Sequence, residues 1–145
     1  MATARILLVE DHAETLALYE TYLTLEGFEV TAVSTATEAL RLVAPGRFDA
    51  ISTDLAMPGM DGGEFIRRIR DSIQPAIPLI VITGQLGSAG AAQSGLNCCA
   101  VFVKPCDLEQ VAETLRVLVR ECPRSCGACR RSFAAVGSRR HAADR

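Results

Sequence analysis

The residues Arg5-Ile6-Leu7-Leu8-Val9-Glu10-Asp11 carry the pattern that decides the fold of this chain. Four apolar residues in a row, followed directly by two acids, are typical of a strand that is buried on both faces and ends at a polar edge. Residues 79–82 form a second continuous apolar run. Because strands covered on both faces occur in parallel sheets with helices on each side, the two runs predict central strands of an α/β fold.

Shorter apolar runs alternate with helical patterns along the rest of the chain. This alternation is typical of parallel strands joined by crossover helices. We predict strands at residues 5–9, 29–33, 49–53, 79–82 and 100–103. The chain is therefore expected to form one doubly wound, five-stranded parallel sheet with five helices.

Helix signals fall in the gaps between these strands. Apolar residues at helical spacing stop before Gly27, a residue type that often follows a helix C-terminus. Residues 84–95 form the weakest predicted helix, short or mobile, because they hold four glycines that each cost about 1 kcal/mol relative to alanine. The other three helices begin at capping pairs, in which an acceptor precedes a Glu or Gln by three positions: Thr35 with Glu38, Asp61 with Glu64, and Asp107 with Gln110.

Length and composition set the class of protein. The 145 residues leave room for one domain of average size, and the apolar fraction of 49% is that of an ordinary packed core. The longest apolar stretch, residues 76–82, is far shorter than the ~20 residues of a membrane-spanning helix. The N-terminus lacks the long apolar segment of a signal peptide. We therefore expect a cytoplasmic protein without membrane contact, whose six cysteines are reduced thiols.

Charge and composition change near residue 120. Residues 1–120 hold 9 basic and 15 acidic residues, whereas residues 121–145 hold 6 arginines and 2 acids. The apolar periodicity also stops there, so we predict a domain over residues 1–120 and a basic, cysteine-containing, disordered tail over residues 121–145. The acidic domain argues against a nucleic-acid-binding surface, because phosphate binding needs clustered cations.

The tail leaves a second interpretation open. Cys122, Cys126, Cys129 and His141 are residue types that form structural zinc sites, although their spacing matches no standard zinc finger. The arginine pairs of the tail could also contact nucleic acid or an acidic partner. A metal-dependent or nucleic-acid-binding adaptor that acts through the tail is therefore an alternative function.

Charged and hydroxyl residues follow four of the five predicted strands. In a parallel sheet, ligands gather beyond the carboxyl ends of the strands, so we expect one site composed of Glu10, Asp11, Asp54, Thr83 and Lys104. Acids this close repel one another unless a cation neutralises them, and Mg²⁺ fits best because it prefers hard oxygen ligands. The Asp54 carboxylate could then act as a nucleophile towards phosphorus, with Thr83 and Lys104 contacting phosphoryl oxygens. The strand ends thus predict phosphoryl transfer to Asp54.

Four motifs follow one another along the chain. They are residues 7–11 (LLVED), 54–62 (DLAMPGMDG), 81–84 (VITG) and 102–105 (FVKP). Together they resemble the receiver domain of two-component response regulators, across residues 4 to about 120. The resemblance implies a flavodoxin-like sheet with strand order 2-1-3-4-5 and a stand-alone domain whose partner docking is switched by phosphorylation.

The resemblance also implies roles and partners. Asp54 is implied to be the phosphoacceptor, Asp11, Asp54 and the backbone carbonyl of Ala56 to bind Mg²⁺, and Glu10 to act mainly through bound water. The implied partners are a histidine kinase or phosphotransfer protein and a downstream protein, and a homodimer is compatible with the family. No enzymatic activity is expected beyond Mg²⁺-dependent self-phosphorylation and self-dephosphorylation.

Two positions depart from the family pattern. The family places an aromatic residue three positions before the lysine and usually a Phe after Lys-Pro, where this chain has Val101 and Cys106. Phe102 lies one residue later, and strand alternation should turn it to the opposite face of the sheet. Switching is therefore expected to rely on Thr83 and on repacking of residues 84–97.

Single residues have competing interpretations. An Asp-nucleophile phosphatase of the haloacid dehalogenase type needs a second acid two residues after the nucleophile, where this chain has Ala56. His12 could be a second phosphate carrier or a metal ligand, but a residue of the first helical turn fits its position better. Cys98 and Cys99 are expected to be small residues near the last strand rather than redox sensors.

Overall fold

The computed structural model of the chain describes residues 3–43, 47–60, 62–73, 77–84 and 98–121. Its strands alternate with helices in the predicted order. The elements are strand β1 (Arg5–Val9), helix α1 (Ala13–Leu25), β2 (Glu29–Val33), α2 (Ala36–Leu42), β3 (Ala50–Thr53), α3 (Gly62–Arg68), a π-helical turn (Ile69–Ile73), β4 (Leu79–Thr83), β5 (Ala100–Val103) and α4 (Leu108–Glu121).

The five strands form one parallel sheet in the order β2-β1-β3-β4-β5. β1 and β4 lie inside the sheet, as their continuous apolar runs predict. The register sets Val9 opposite Thr53 and Thr83 opposite Val103, so that the strands end at one edge. The predicted fold class and strand order are confirmed.

Two strand boundaries differ from the prediction by one residue. β3 begins at Ala50 rather than at residue 49. The Asp49 carboxylate instead accepts a hydrogen bond from the backbone N–H of Arg5 at 2.8 Å, which ties it to the start of β1. β4 continues to Thr83 because this residue pairs with Val103 of β5.

The side chains of the sheet form two hydrophobic clusters, one on each face. Alternate residues of a strand point to opposite faces, and in β1 Leu7 joins one cluster while Leu8 joins the other. The first cluster contains Ala39 of α2 and Phe65 of α3, and the second contains residues of α1 and α4, including Leu115. The helices therefore cover both faces of the sheet, which explains the continuous apolar runs of β1 and β4.

The helix ends follow the capping signals where they can be compared. Thr35 precedes α2, and its hydroxyl accepts a hydrogen bond from the backbone N–H of Glu38 at 3.1 Å. Asp107 precedes α4 and accepts from the N–H of Glu109 at 2.9 Å. After α1 the chain turns at Gly27, whose φ of 100° is one that residues with a Cβ rarely adopt. These contacts confirm two predicted helix starts and one predicted stop.

Some predictions concern segments that the structure does not describe. The described ranges hold four α-helices, and the fifth predicted helix falls almost entirely within residues 85–97, outside those ranges. The cap residue Asp61 also lies outside them, as do residues 122–145, which form nearly all of the predicted tail. Within the described part of the chain, none of the helices has both the length and the apolar character needed to cross a bilayer.

Candidate functional site

Three acids meet at the carboxyl edge of the sheet. Glu10 follows β1 and Asp54 follows β3, the neighbouring strand. One oxygen from each of Glu10, Asp11 and Asp54 lies within 4.8 Å of the other two. The side chains of Glu10 and Asp54 are buried, whereas Asp11 is exposed. The structure thus brings together the three acids that were predicted to share a site.

Lys104 reaches this cluster from β5, two strands beyond β3. Its ammonium nitrogen lies 2.5 Å from Oε1 of Glu10 and 3.0 Å from Oδ2 of Asp54. The lysine therefore donates to two buried carboxylates at once. Such charge-assisted hydrogen bonds are stronger than neutral ones and hold both acids in one arrangement.

Backbone amides hold the other oxygen of Asp54. Oδ1 accepts hydrogen bonds from the N–H of Leu55 at 2.6 Å and of Ala56 at 3.3 Å. The backbone N–H of Asp54 donates to the carbonyl of Val9 at 3.1 Å, which continues the pairing of β3 with β1. The carboxylate is therefore oriented from both sides, by the chain that follows it and by Lys104.

The electrostatics of the cluster reflect its burial. Burial raises the pKa of Glu10, although hydrogen bonds from Lys104 and from the N–H of His12 oppose the rise. Burial alone would lower the pKa of Lys104, but its hydrogen bonds to Glu10 and Asp54 outweigh this effect and raise it. Lys104 therefore stays charged at neutral pH, and its ammonium group faces the cluster of three acids. The three carboxyl groups together offer the oxygen ligands that a cation such as Mg²⁺ prefers.

Thr83 lies beside the lysine at the end of β4. It is fully buried, and its carbonyl accepts a hydrogen bond from the backbone N–H of Lys104 at 2.8 Å. A Cβ built on the next residue, Gly84, would lie 3.9 Å from Cδ of Lys104. Thr83 and Lys104 thus occupy adjacent strand ends, as expected.

His12 has a structural position at the start of α1. Its ring Nδ1 accepts a hydrogen bond from the backbone N–H of Thr15 at 3.4 Å, which makes it the N-cap residue of the helix. Its own backbone N–H donates to Oε2 of Glu10 at 3.0 Å. Among the described residues, the cluster of side chains that could hold a metal consists of Glu10, Asp11 and Asp54 and does not include His12. His12 is thus the N-cap of α1, one position before the first helical turn in which it was expected.

Val101 and Phe102, which lie three and two positions before the lysine, face opposite sides of the sheet. Val101 packs against the cluster that contains Phe65, and Phe102 packs against the cluster on the α1 and α4 side. The expected orientation of Phe102, away from the face of Val101, is confirmed. Cys106 is half-buried, with its sulfur 3.8 Å from the hydroxyl of Tyr19 in α1.

Two residues next to Asp54 were not predicted to belong to the site. The Thr53 hydroxyl donates to the backbone carbonyl of Asp54 at 2.9 Å. The backbone of Gly62 approaches the same carbonyl so closely that a Cβ on Gly62 would lie 2.2 Å from its oxygen. The position of Gly62 in the 54–62 motif is a sequence signal from which its place in the site could have been predicted. Nothing in the pattern of β3 distinguishes Thr53 from other buried strand residues.

Comparison with known proteins identifies relatives of the chain. Residues 6–116 match the model of the response regulator receiver domain. The chain is 32% identical over 122 residues to the transcriptional regulatory protein PrrA of Mycobacterium tuberculosis, which covers 83% of this chain and 52% of that protein. The chain therefore spans about half the length of the curated relatives it matches.

Solved structures show the same architecture. The receiver domain of a sensor histidine kinase from Pseudomonas aeruginosa PAO1, with a magnesium ion coordinated in its active-site cleft, has a TM-score of 0.76 and 27% identity, covering 83% of this chain and all of that one. The response regulator TrrA of Thermotoga maritima, in complex with Mg²⁺ and BeF, has a TM-score of 0.72 and 26% identity, covering 80% of this chain and 99% of that one.

Proposed function

This chain belongs to the response regulator receiver domain family, and on that premise we propose that it accepts a phosphoryl group on Asp54 and signals through the change that follows. The arrangement of Asp54 carries the proposal. Its carboxylate lies at the carboxyl edge of the sheet, beside two further acids and within 3.0 Å of an ammonium group. A carboxylate so oriented is suited to attack an electrophilic phosphorus atom.

The acids also fit a divalent cation. Glu10, Asp11 and Asp54 each offer an oxygen to one small region, and oxygen ligands are those that Mg²⁺ prefers. We propose that Asp11 and Asp54 ligate Mg²⁺ together with the carbonyl of Ala56, and that Glu10 acts mainly through bound water. When bound, the ion supplies positive charge that offsets the repulsion between the acids and an incoming phosphoryl group.

The transfer step needs few groups from the protein. A carboxylate oxygen of Asp54 forms a bond to phosphorus, while the bond between phosphorus and the donor atom breaks and its electron pair leaves with the donor. For a phosphohistidine donor, the pair leaves with the imidazole nitrogen. Lys104 provides a point charge for a phosphoryl oxygen, and Thr83 a hydroxyl donor. We propose that the chemistry of the domain is limited to this transfer and the hydrolysis that reverses the signal.

The partners follow from this chemistry. We propose that a histidine kinase or a phosphotransfer protein donates the phosphoryl group in the cytoplasm. The phosphorylated state would then be passed on by altered docking to a downstream protein, or through a homodimer. Val101 lacks a ring that could rotate towards the site, so the change would begin at Thr83.

Intact-mass measurement after incubation with acetyl phosphate and Mg²⁺ tests the proposal. The parent should gain about 80 Da, the mass of one phosphoryl group, whereas Asp54→Asn and a metal-free sample should not. Asp71→Asn is the matched control, because Asp71 is an exposed acid in the π-helical turn after α3. A parent that gains no mass and also fails to bind beryllofluoride would contradict the proposed function.

A further inference from the structure

Thr53 immediately precedes Asp54 and is bonded to it. Its side chain is buried, and its hydroxyl donates to the backbone carbonyl of Asp54 at 2.9 Å. We propose that Thr53 is a positioning residue for phosphoryl transfer, which holds the peptide between Asp54 and Leu55 so that this peptide keeps the Asp54 carboxylate oriented. The inference rests on the proposed function of Asp54 and adds a residue to its machinery.

The planarity of the peptide bond connects the hydroxyl to the carboxylate. The carbonyl of Asp54 and the N–H of Leu55 belong to the same rigid plane. The Thr53 hydroxyl donates to this carbonyl, and the Leu55 N–H donates to Oδ1 of Asp54 at 2.6 Å. Rotation of the plane would break both bonds together. The hydroxyl therefore restricts the direction in which the N–H can hold the carboxylate.

Gly62 fixes the neighbouring part of the backbone. Its N–H donates to the carbonyl of Leu55 at 2.8 Å. Because Gly62 has no side chain, α3 can begin directly against the backbone of Asp54 and Leu55. A Cβ at position 62 would lie less than 3 Å from the carbonyl oxygen of Asp54 and from Cα of Leu55. The carbonyl is thereby enclosed, and among the described residues its hydrogen-bond donor is the Thr53 hydroxyl.

The other buried hydroxyl of β3 has no such role. Ser52 points to the opposite face of the strand, and its Oγ has no hydrogen-bond partner in the part of the chain that the structure describes. Two adjacent buried hydroxyls thus differ in one respect that matters for the site. Ser52 provides an internal control for the loss of a buried hydroxyl from this strand.

Removal of the Thr53 hydroxyl should lower the rate at which Asp54 is phosphorylated. Without it, the enclosed carbonyl loses its donor and the Asp54–Leu55 peptide can rotate. This rotation weakens the hydrogen bond from the Leu55 N–H to Oδ1 of Asp54. Small errors in the placement of a reacting group lower rates steeply, about a hundredfold for a misplacement of 1 Å. The rate should recover wherever a hydroxyl is kept, even if the methyl group is lost.

The test compares four variants of the full chain with the parent: Thr53→Val, Thr53→Ser, Thr53→Cys and Ser52→Ala. Phosphorylation rates are measured by intact mass with acetyl phosphate and with phosphoramidate, both in saturating Mg²⁺. Circular dichroism at the assay temperature shows which variants are folded. We expect Thr53→Val to be slower than the parent by about tenfold to a hundredfold with both donors. Thr53→Ser and Ser52→Ala should react within about twofold of the parent, since neither disturbs the hydrogen bond.

The hydroxyl and the methyl group are separated by the pair of Thr53 variants. Thr53→Ser loses packing and keeps the donor, whereas Thr53→Val keeps the shape and loses the donor. If Thr53→Val reacts as fast as the parent, or if Thr53→Ser is as slow as Thr53→Val, the positioning role is overturned. If Thr53→Val does not fold, Thr53→Cys replaces it as the test variant. Its S–H group is a weak donor, so Thr53→Cys should react clearly more slowly than Thr53→Ser. Equal rates of these two variants overturn the inference.

Failure of the proposed function is distinguishable from failure of this inference. A parent that is not phosphorylated and does not bind beryllofluoride removes both. A parent that is phosphorylated on Asp54, together with a Thr53→Val variant of undiminished rate, removes only the role of Thr53.

Discussion

The ammonium nitrogen of Lys104 lies 3.0 Å from Oδ2 of Asp54, although the two residues are 50 positions apart. The same nitrogen contacts Oε1 of Glu10. Lys104 therefore brings a positive charge of the protein itself into the acidic cluster. A divalent cation entering the cluster would share the acids with a positive charge that is already present, and this competition can be measured.

Replacing Lys104 with Met should tighten metal binding and slow phosphorylation. The substitution removes a charge that repels the metal ion at short range, and we expect about tenfold tighter Mg²⁺ binding by isothermal titration calorimetry. The phosphorylation rate should fall about a hundredfold, because a donor to the phosphoryl oxygens is lost. Arg120→Met, which removes an exposed cation near the end of α4, is the control and should bind Mg²⁺ as the parent does. Weaker Mg²⁺ binding by Lys104→Met would contradict this account.

The buried carboxyl of Glu10 should make stability depend on pH. Its folded-state pKa is raised above the ordinary value of 4.5 by burial, so the folded state binds more protons than the unfolded state, and the contribution of Glu10 to stability falls as pH rises through the raised pKa. Glu10→Gln removes this titration. In metal-free urea unfolding from pH 4 upward, we expect the stability of the parent relative to Glu10→Gln to decrease with increasing pH. A relative stability that increases with pH would show that the pKa is lowered instead.

Gly62 should not tolerate a side chain. A Cβ at this position would lie 2.2 Å from the carbonyl oxygen of Asp54 and 2.6 Å from Cα of Leu55, both of them backbone atoms that cannot rotate away. We expect Gly62→Ala to lower the free energy of unfolding by about 1–3 kcal/mol or more, as overpacking does.

Gly84→Ala is the matched control for Gly62→Ala. A Cβ at Gly84 would meet its nearest neighbour at 3.9 Å, an ordinary contact. Its stability should stay within about 0.5 kcal/mol of the parent. Equal effects of the two substitutions on the urea midpoint would argue that close approach at Gly62 has no special cost.

Cys98 should be an unreactive thiol. Burial, followed by the neighbouring thiol of Cys99, raises its pKa to about 11. About one thiol in a thousand is then ionised at pH 8, and the thiolate is the reactive form. We expect iodoacetamide labelling of Cys98, followed by peptide mass spectrometry, to be slow and to rise about tenfold per pH unit from pH 7 to 9.5. A plateau within that range would reveal a lower pKa and reopen a redox role.

The acidic cluster was predictable because the ends of parallel strands coincide. Glu10, Asp54 and Lys104 each follow a predicted strand, and in a parallel sheet such positions share one edge. The contacts among them were not predictable in detail. Nothing in the sequence shows that Lys104 divides its hydrogen bonds between Glu10 and Asp54, because that depends on how far β5 lies from β1 across the finished sheet.

The residues that support Asp54 illustrate the same limit. Thr53 and Ser52 are adjacent buried hydroxyl residues of β3, and no sequence pattern separates the one that bonds to Asp54 from the one without a partner among the described residues. The requirement for glycine at position 62 also arises only when α3 packs against the Asp54–Leu55 backbone.

By itself, the sequence determined which segments become strands and helices, where several of them begin and end, and which charged residues stand at the strand ends. These features depend on the burial pattern along a short stretch and on local caps such as Thr35, so neighbouring residues are sufficient to specify them. Only the tertiary structure decided the bridging position of Lys104, the hydrogen bond of Thr53 and the close approach of Gly62. Each of these contacts depends on a distance between groups that packing and register place relative to one another. Such distances are defined to within a few tenths of an ångström only when the elements pack together.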